Sequence, residues 1–257
     1  MHVASRSVQI AIALLLIMSP AKAAEGVLGS LTPGFYFFNP ASIARNLDTR
    51  KPSSDAPGPV DAFCQNKCAA TIFVGLENET GQGSMLGTKR FIPPYQYQFA
   101  DNYFAGGTLS RVLAEVGNKA MGSLVAVEIE VGAGQRFGNL HETEAWAALY
   151  LRWKYFPWND YLITTIAIST GLNYASDISE EEYLESGNGK GARLLHYFSP
   201  EITFALPSKP DRELVIRNHH RSGGGGIYGY SMPVYGSMFH GTDGGTQFLS
   251  VGLRQHF

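Results

Sequence analysis

From residue 69 onward the chain alternates apolar and polar positions with period two, in runs broken by Gly, Pro, Asn and Ser. Successive side chains of a strand point to opposite faces, so each run predicts a strand with one apolar and one polar face. Eight segments are long enough, at 69–77, 97–116, 121–137, 142–157, 160–176, 191–207, 211–222 and 245–257. In the third, Val125, Val127, Ile129 and Val131 share one face, and Glu128, Glu130 and Arg136 the other. The fourth sets Ala147, Leu149, Leu151, Trp153 and Tyr155 against Tyr150, Arg152 and Lys154. The fifth gathers Leu162, Ile166, Ile168 and Leu172, and the sixth opposes Ile202, Phe204 and Leu206 to Glu201 and Thr203.

Alternation alone fits two architectures. A soluble β-sandwich turns its apolar faces inward; a transmembrane β-barrel turns them outward to lipid. The spacing between segments favours the barrel. Long connections at 78–96, 179–191 and 223–244, with a moderate one near 138–141, alternate with tight turns. The turns fall around Gly117-Asn118-Lys119, at Pro157-Trp158-Asn159 and at Ser208-Lys209-Pro210. Short turns on one rim and longer loops on the other are the habit of outer-membrane barrels. Trp153, Tyr155, Phe156 and Trp158 crowd one strand end, as an interfacial girdle does; aromatics capping a sandwich core are the alternative. Phe257 ends the chain on the face of Leu249, Val251 and Leu253, which resembles the C-terminal signal of outer-membrane barrel proteins. The expected fold is therefore all-β, an eight-stranded antiparallel transmembrane β-barrel of the bacterial outer membrane, over residues 69–257. Side chains fill the interior at that strand number, so Glu128, Glu130, Arg152 and Lys154 are expected as paired lumen charges rather than the lining of a pore.

The N-terminus fits this destination. Arg6, the apolar run IAIALLLIM and Ala21-Lys22-Ala23 predict a signal peptide over residues 1–23. The run is shorter than the roughly 20 residues of a membrane-spanning helix; a short N-terminal anchor is the alternative. Residues 24–68, with LTPGFYFFNP and KPSSDAPGPVDA, read as an irregular arm. Cys64 and Cys68 lie in CQNKC, where export favours a local disulfide, and a metal site lacks further ligands nearby. The net charge of −2, with Lys and Arg dispersed, argues against nucleic acid. No cofactor or metal is expected.

Candidate chemistry lies in 211–222, DRELVIRNHHRS, and the glycines that follow. Leu214, Ile216, Asn218, His220 and Ser222 share one face; Val215, Arg217, His219 and Arg221 take the other. With the barrel's termini on the short-turn rim, this strand rises outward. Leu214 and Ile216 then sit in the apolar belt, and His220 and Ser222 meet lipid near the outer interface. Polar groups on a lipid face are costly unless they have a task. A serine and a histidine two residues apart on one face are within reach for nucleophilic attack on an ester; a polar rim bonded to interfacial water is the plainer reading. His219 is expected inside the barrel, and Arg217 and Arg221 to pair with lumen acids such as Glu213 or Glu201. The acidic run 180–185 is expected to be a solvated loop.

The His220-Arg221-Ser222 motif, near the end of the penultimate strand of a small exported barrel with a terminal Phe, resembles the lipid A 3-O-deacylase family. EIEVGAGQRFG, WKYFPWNDYL and LLHYFSPEITFALPS also look like acyloxyacyl hydrolase-like relatives. The resemblance implies a His-x-Ser pair and an acidic residue on the lipid-facing wall, acting without metal on an acyl ester of lipid A in the outer leaflet. The family's Asn after the serine is Gly223 here, while Gly225 keeps its glycine; backbone N–H groups of that run would form the oxyanion hole. Val234 stands where the family has Glu, so Asp243, at the start of the last strand, is assigned as the third triad member. Two other functions fit a small barrel. One is non-catalytic, an adhesin or envelope-stabilising protein acting through its loops. The other is an acyltransferase moving a chain from phospholipid to lipid A.

Overall fold

A computed structural model describes residues 63–86, 90–118, 122–185, 189–223, 239, 242 and 244–257. Its strands are β1 (Cys68–Asn78), β2 (Phe99–Asn118), β3 (Gly122–Phe137), β4 (Thr143–Trp153), β5 (Ile163–Ala175), β6 (Leu194–Phe198), β7 (Glu201–Leu206), β8 (Lys209–Ser222) and β9 (Gly245–His256). β6 and β7 make up a single strand. Both pair with β5 on one side and β8 on the other, and the register is unchanged from one to the other. Between them Pro200, which has no N–H to give, interrupts the ladder, though its carbonyl still accepts from Asn218 N at 3.0 Å. The eight strands thus counted form an antiparallel ring that β9 closes onto β1, from Ala69 opposite His256 to Glu77 opposite Phe248. Closure satisfies every strand edge, which a sheet in lipid requires.

The facing of the side chains separates barrel from sandwich. In β4 every second residue from Glu144 to Arg152 is buried, while Leu149, Leu151 and Trp153 are exposed. Ile72, Leu109, Val131, Ile168 and Leu253 are likewise exposed, whereas Glu130, Arg136, Arg217 and Arg221 are fully buried. Apolar outside and charged inside reverses a water-soluble protein. It is the arrangement of an outer-membrane β-barrel, and this chain is one.

The lumen is filled in layers. Nearest the short turns, Glu201 collects Arg152, Arg217 and Arg254, with N–O distances of 2.8, 2.5 and 2.8 Å. Arg152 also grips Glu128 through two bonds of 2.7 and 3.0 Å, and Arg217 reaches Glu130 at 2.8 Å. Phe73, Phe104, Trp146, Tyr197, His219 and Phe248 form an aromatic layer above. The inward position of Gly132 makes room for it, since a Cβ there would lie 2.3 Å from the Trp146 ring. Toward the long loops Glu144 binds Arg136, Asn173 and His219.

Lys154 follows the last residue of β4 and pairs with Glu115 at 2.7 Å, both half-exposed at the short-turn end of the inward face. Two sequence expectations need correction. The acidic run is not a solvated loop. It holds a helix, α2 (Glu180–Glu185; α1 is Gln82–Met85), whose Glu182 is buried beside Arg136 and Arg221. Arg221 therefore pairs with Glu182 rather than with Glu213 or Glu201, whereas Arg217 does pair with Glu201.

Residues Asn78–Phe99 form a separate compact unit, with α1 and a 3-10 turn at Pro94–Gln96, knit by Thr80 N donating to Asn78 Oδ1 and Gln98 N to Thr80 Oγ1. Cys64 and Cys68 are joined by a disulfide, and Cys68 exchanges backbone hydrogen bonds with Phe257. The expected signal peptide and the arm up to residue 62 lie outside the described residues.

Candidate functional site

β8 carries the site because its two faces meet different media. Val215, Arg217, His219 and Arg221 are buried in the lumen, and Leu214 is exposed on the outer wall. By the same alternation Ile216, Asn218, His220 and Ser222 occupy the outward positions above Leu214, Asn218 buried there and the other three half-buried. The ladder fixes their neighbours: His220 lies between Phe198 on β6 and Gln247 on β9, and Ser222 between His196 and Gly245. His220 Nε2 is 3.1 Å from Ser222 Oγ. Gly245 holds β9 close beside the serine, for a Cβ there would come within 2.7 Å of Ser222 Cβ.

The pair belongs to a wider polar patch. Asn218 Nδ2 donates to Gln247 Oε1 at 3.0 Å, and Thr170 Oγ1 is 3.0 Å from His196 Nε2. Apolar side chains frame it: Leu172 opposite His196, Leu249 opposite Asn218, and Tyr174 opposite Leu194 one step nearer the long loops. Tyr174 is half-exposed on the outer wall, where an interfacial aromatic belongs. The patch therefore lies on outward positions at the upper edge of the apolar belt.

The arrangement has the first two parts of a nucleophilic device. The hydroxyl of Ser222 faces an imidazole nitrogen able to take its proton. His220 Nδ1 is buried, with no hydrogen-bond partner among the described residues. A third group that accepted a bond from Nδ1–H would fix the tautomer needed at Nε2. Asp243 and Gly225 lie outside the described residues. Gly223 is described, and its N–H donates to Gly244 O at 3.1 Å, so the expectation of a free oxyanion donor there needs correction: the ladder already uses it.

His219, one residue from His220, takes no part in this patch. Its Nδ1 is 3.1 Å from the Tyr197 hydroxyl and its Nε2 2.9 Å from Glu144, inside the barrel. Sequence reasoning overlooked His196 and Thr170. The period-two signal for His196 was present in LLHYF, where Leu195 and Tyr197 are the buried positions. Among the described residues no group of three or more His, Cys, Asp or Glu is placed to hold a metal ion.

No family model and no curated protein matches the sequence. Among solved structures, the outer membrane enzyme PagL is 12% identical, covering 73% of this chain and 98% of its own, with a TM-score of 0.45. Neisserial surface protein A is 7% identical, covering 75% and 97%, with a TM-score of 0.41. A de novo designed transmembrane β-barrel is 9% identical, covering 75% and 96%, with a TM-score of 0.39.

Proposed function

We propose that this barrel is an outer-membrane esterase that hydrolyses an acyl ester of lipid A, of the lipid A deacylase type, with Ser222 as nucleophile and His220 as base. The observation that carries the reading is the 3.1 Å approach of His220 Nε2 to Ser222 Oγ on the lipid-facing wall. A lipid ester is delivered to such a pair by the membrane itself, without leaving the leaflet. In the first half-reaction His220 takes the serine proton, and Oγ attacks the acyl carbonyl. The C–O bond to the sugar breaks, and the leaving hydroxyl recovers the proton from His220. In the second, His220 activates water, which releases the chain as a fatty acid and restores the serine. Asp243 is proposed to accept from His220 Nδ1–H, and Gly225 to donate its N–H to the oxyanion. Gly223 would join it only by leaving Gly244. Lipid A, or the lipopolysaccharide that carries it, is the proposed partner; no cofactor is invoked.

The second reading is a non-catalytic small barrel, an adhesin or envelope-stabilising protein. What favours it is the engagement of Gly223 N–H with Gly244 O, which removes one oxyanion donor from the surface. Mass spectrometry of lipid A from cells with and without the chain separates the two. The esterase removes one acyl chain, and Ser222→Ala abolishes that loss while leaving a folded barrel. Unchanged lipid A supports the second reading, and an added chain an acyltransferase.

A further inference from the structure

Another feature of the outer wall lies near the opposite rim. Where Cys68 pairs with Phe257, the barrel carries a groove of about 420 Å³, lined by Phe63, Leu109, Leu113, Ile129, Val131 and Phe257, with Arg111 among them. Two devices shape it. The register of β2 against β3 slips between Val112 and Ala114, leaving Leu113 as the extra residue of a bulge that bends the strand. The disulfide loop forms the lip: Gln65 and Asn66 both adopt positive φ, the chain doubles back, and Cys64 is tied to Cys68 with Phe63 over the wall.

Arg111 is the anomaly. The arginines of the lumen, Arg136, Arg152, Arg217, Arg221 and Arg254, all face carboxylates. Arg111 has no carboxylate partner among the described residues. Its Nε donates to Phe63 O at 3.3 Å, and its guanidinium lies 4.5 Å from the centre of the Phe63 ring. That geometry orients the fork and leaves its two terminal nitrogens to bind something else. A cation on an apolar wall is costly in lipid unless it reaches an anion. In a bilayer the abundant group with an apolar chain on one side and an anion at the interface is a phospholipid.

We propose that this groove is a binding site for a glycerophospholipid of the periplasmic leaflet. Its acyl chain lies along Leu109, Leu113, Ile129 and Val131, and its phosphate takes a forked pair of hydrogen bonds from Arg111. The disulfide lip holds the site in shape before the lipid arrives, which lowers the ordering cost of binding. The site does not depend on the chemistry at Ser222.

Native mass spectrometry of the full barrel, purified in detergent and offered phosphatidylglycerol or diacylglycerol, tests this. The expected result is one retained phosphatidylglycerol and no retained diacylglycerol. Arg111→Leu should lower the retained fraction at least about tenfold, the equivalent of about 1.4 kcal/mol for one lost charge-assisted contact. Leu109→Trp, which fills the groove and leaves the cation in place, should abolish retention. A photoreactive side chain at position 131 should label phospholipid in isolated outer membranes. Retention unaffected by both substitutions, absence of any retained phospholipid, or labelling of residues 24–62 in place of lipid would each overturn the proposal.

Discussion

His219 and His220 are adjacent residues of the same type, and the strand period alone gives them different surroundings. His219 is held by Tyr197 and Glu144 within the aromatic layer. His220 faces Ser222 on the wall. Their substitutions should therefore separate the proposed activity from stability. His220→Gln is expected to slow fatty-acid release from purified lipopolysaccharide by about 10²–10⁴-fold, the usual contribution of general acid–base catalysis, with the unfolding midpoint in urea little changed. His219→Gln is expected to lower stability by about 1–3 kcal/mol through lost buried hydrogen bonds, and to leave release measurable once the barrel is folded. If His219→Gln silenced a folded barrel while His220→Gln did not, the pair assigned to the wall would be the wrong one.

At the scale of elements, the strands were readable because lipid and lumen impose opposite demands on alternate residues. Each of the eight expected segments overlaps a strand of the ring, with β6 and β7 sharing one segment. What the pattern could not give were features that depend on partners distant in sequence. Nothing local in SEEEYLESG distinguishes a solvated acidic loop from α2 placing Glu182 between Arg136 and Arg221. The same holds for His196, whose place opposite Ser222 follows from the pairing of β6 with β8. The stop at Trp153 was hidden because Tyr155 continues the apolar alternation beyond the last ladder pair.

Glu182 also has a consequence for pH. Burial holds its carboxyl above the ordinary carboxylate range; Arg221 and Arg136 oppose that shift, while Glu144 and Glu142 add to it. A raised folded-state pKa means that the docked helix holds the proton more firmly than the free loop does. Docking is then strongest below the ordinary carboxylate pKa of about 4.3, and weakens as pH rises through the raised value. Hydrogen exchange of residues 180–185, corrected for intrinsic rates, should accelerate as pH rises above the ordinary carboxylate range, and Glu182→Gln should flatten that dependence.

For the whole molecule, everything depends on which way the barrel faces, and two substitutions test it from opposite sides. Leu149 is exposed on the outer wall midway between Trp153 and the level of Tyr174, so Leu149→Arg places a charge in lipid and should cost about 2–4 kcal/mol. Were Leu149 turned into a water-soluble core, the same change would also destabilise the protein, so this result alone does not decide. Glu201→Gln decides it. Glu201 is fully buried among Arg152, Arg217 and Arg254, and neutralising it removes the carboxylate that all three share, leaving each with its second acid alone. Breaking such a buried network should cost about 3–5 kcal/mol. If residue 201 instead faced water, as the polar face of a sandwich strand would, the loss should stay below about 1 kcal/mol, the scale of a surface ion pair. A large loss in both variants, read from urea unfolding of the barrel in phospholipid vesicles, requires lipid outside and charge within. That is the geometry which the proposed chemistry of Ser222 and His220 requires.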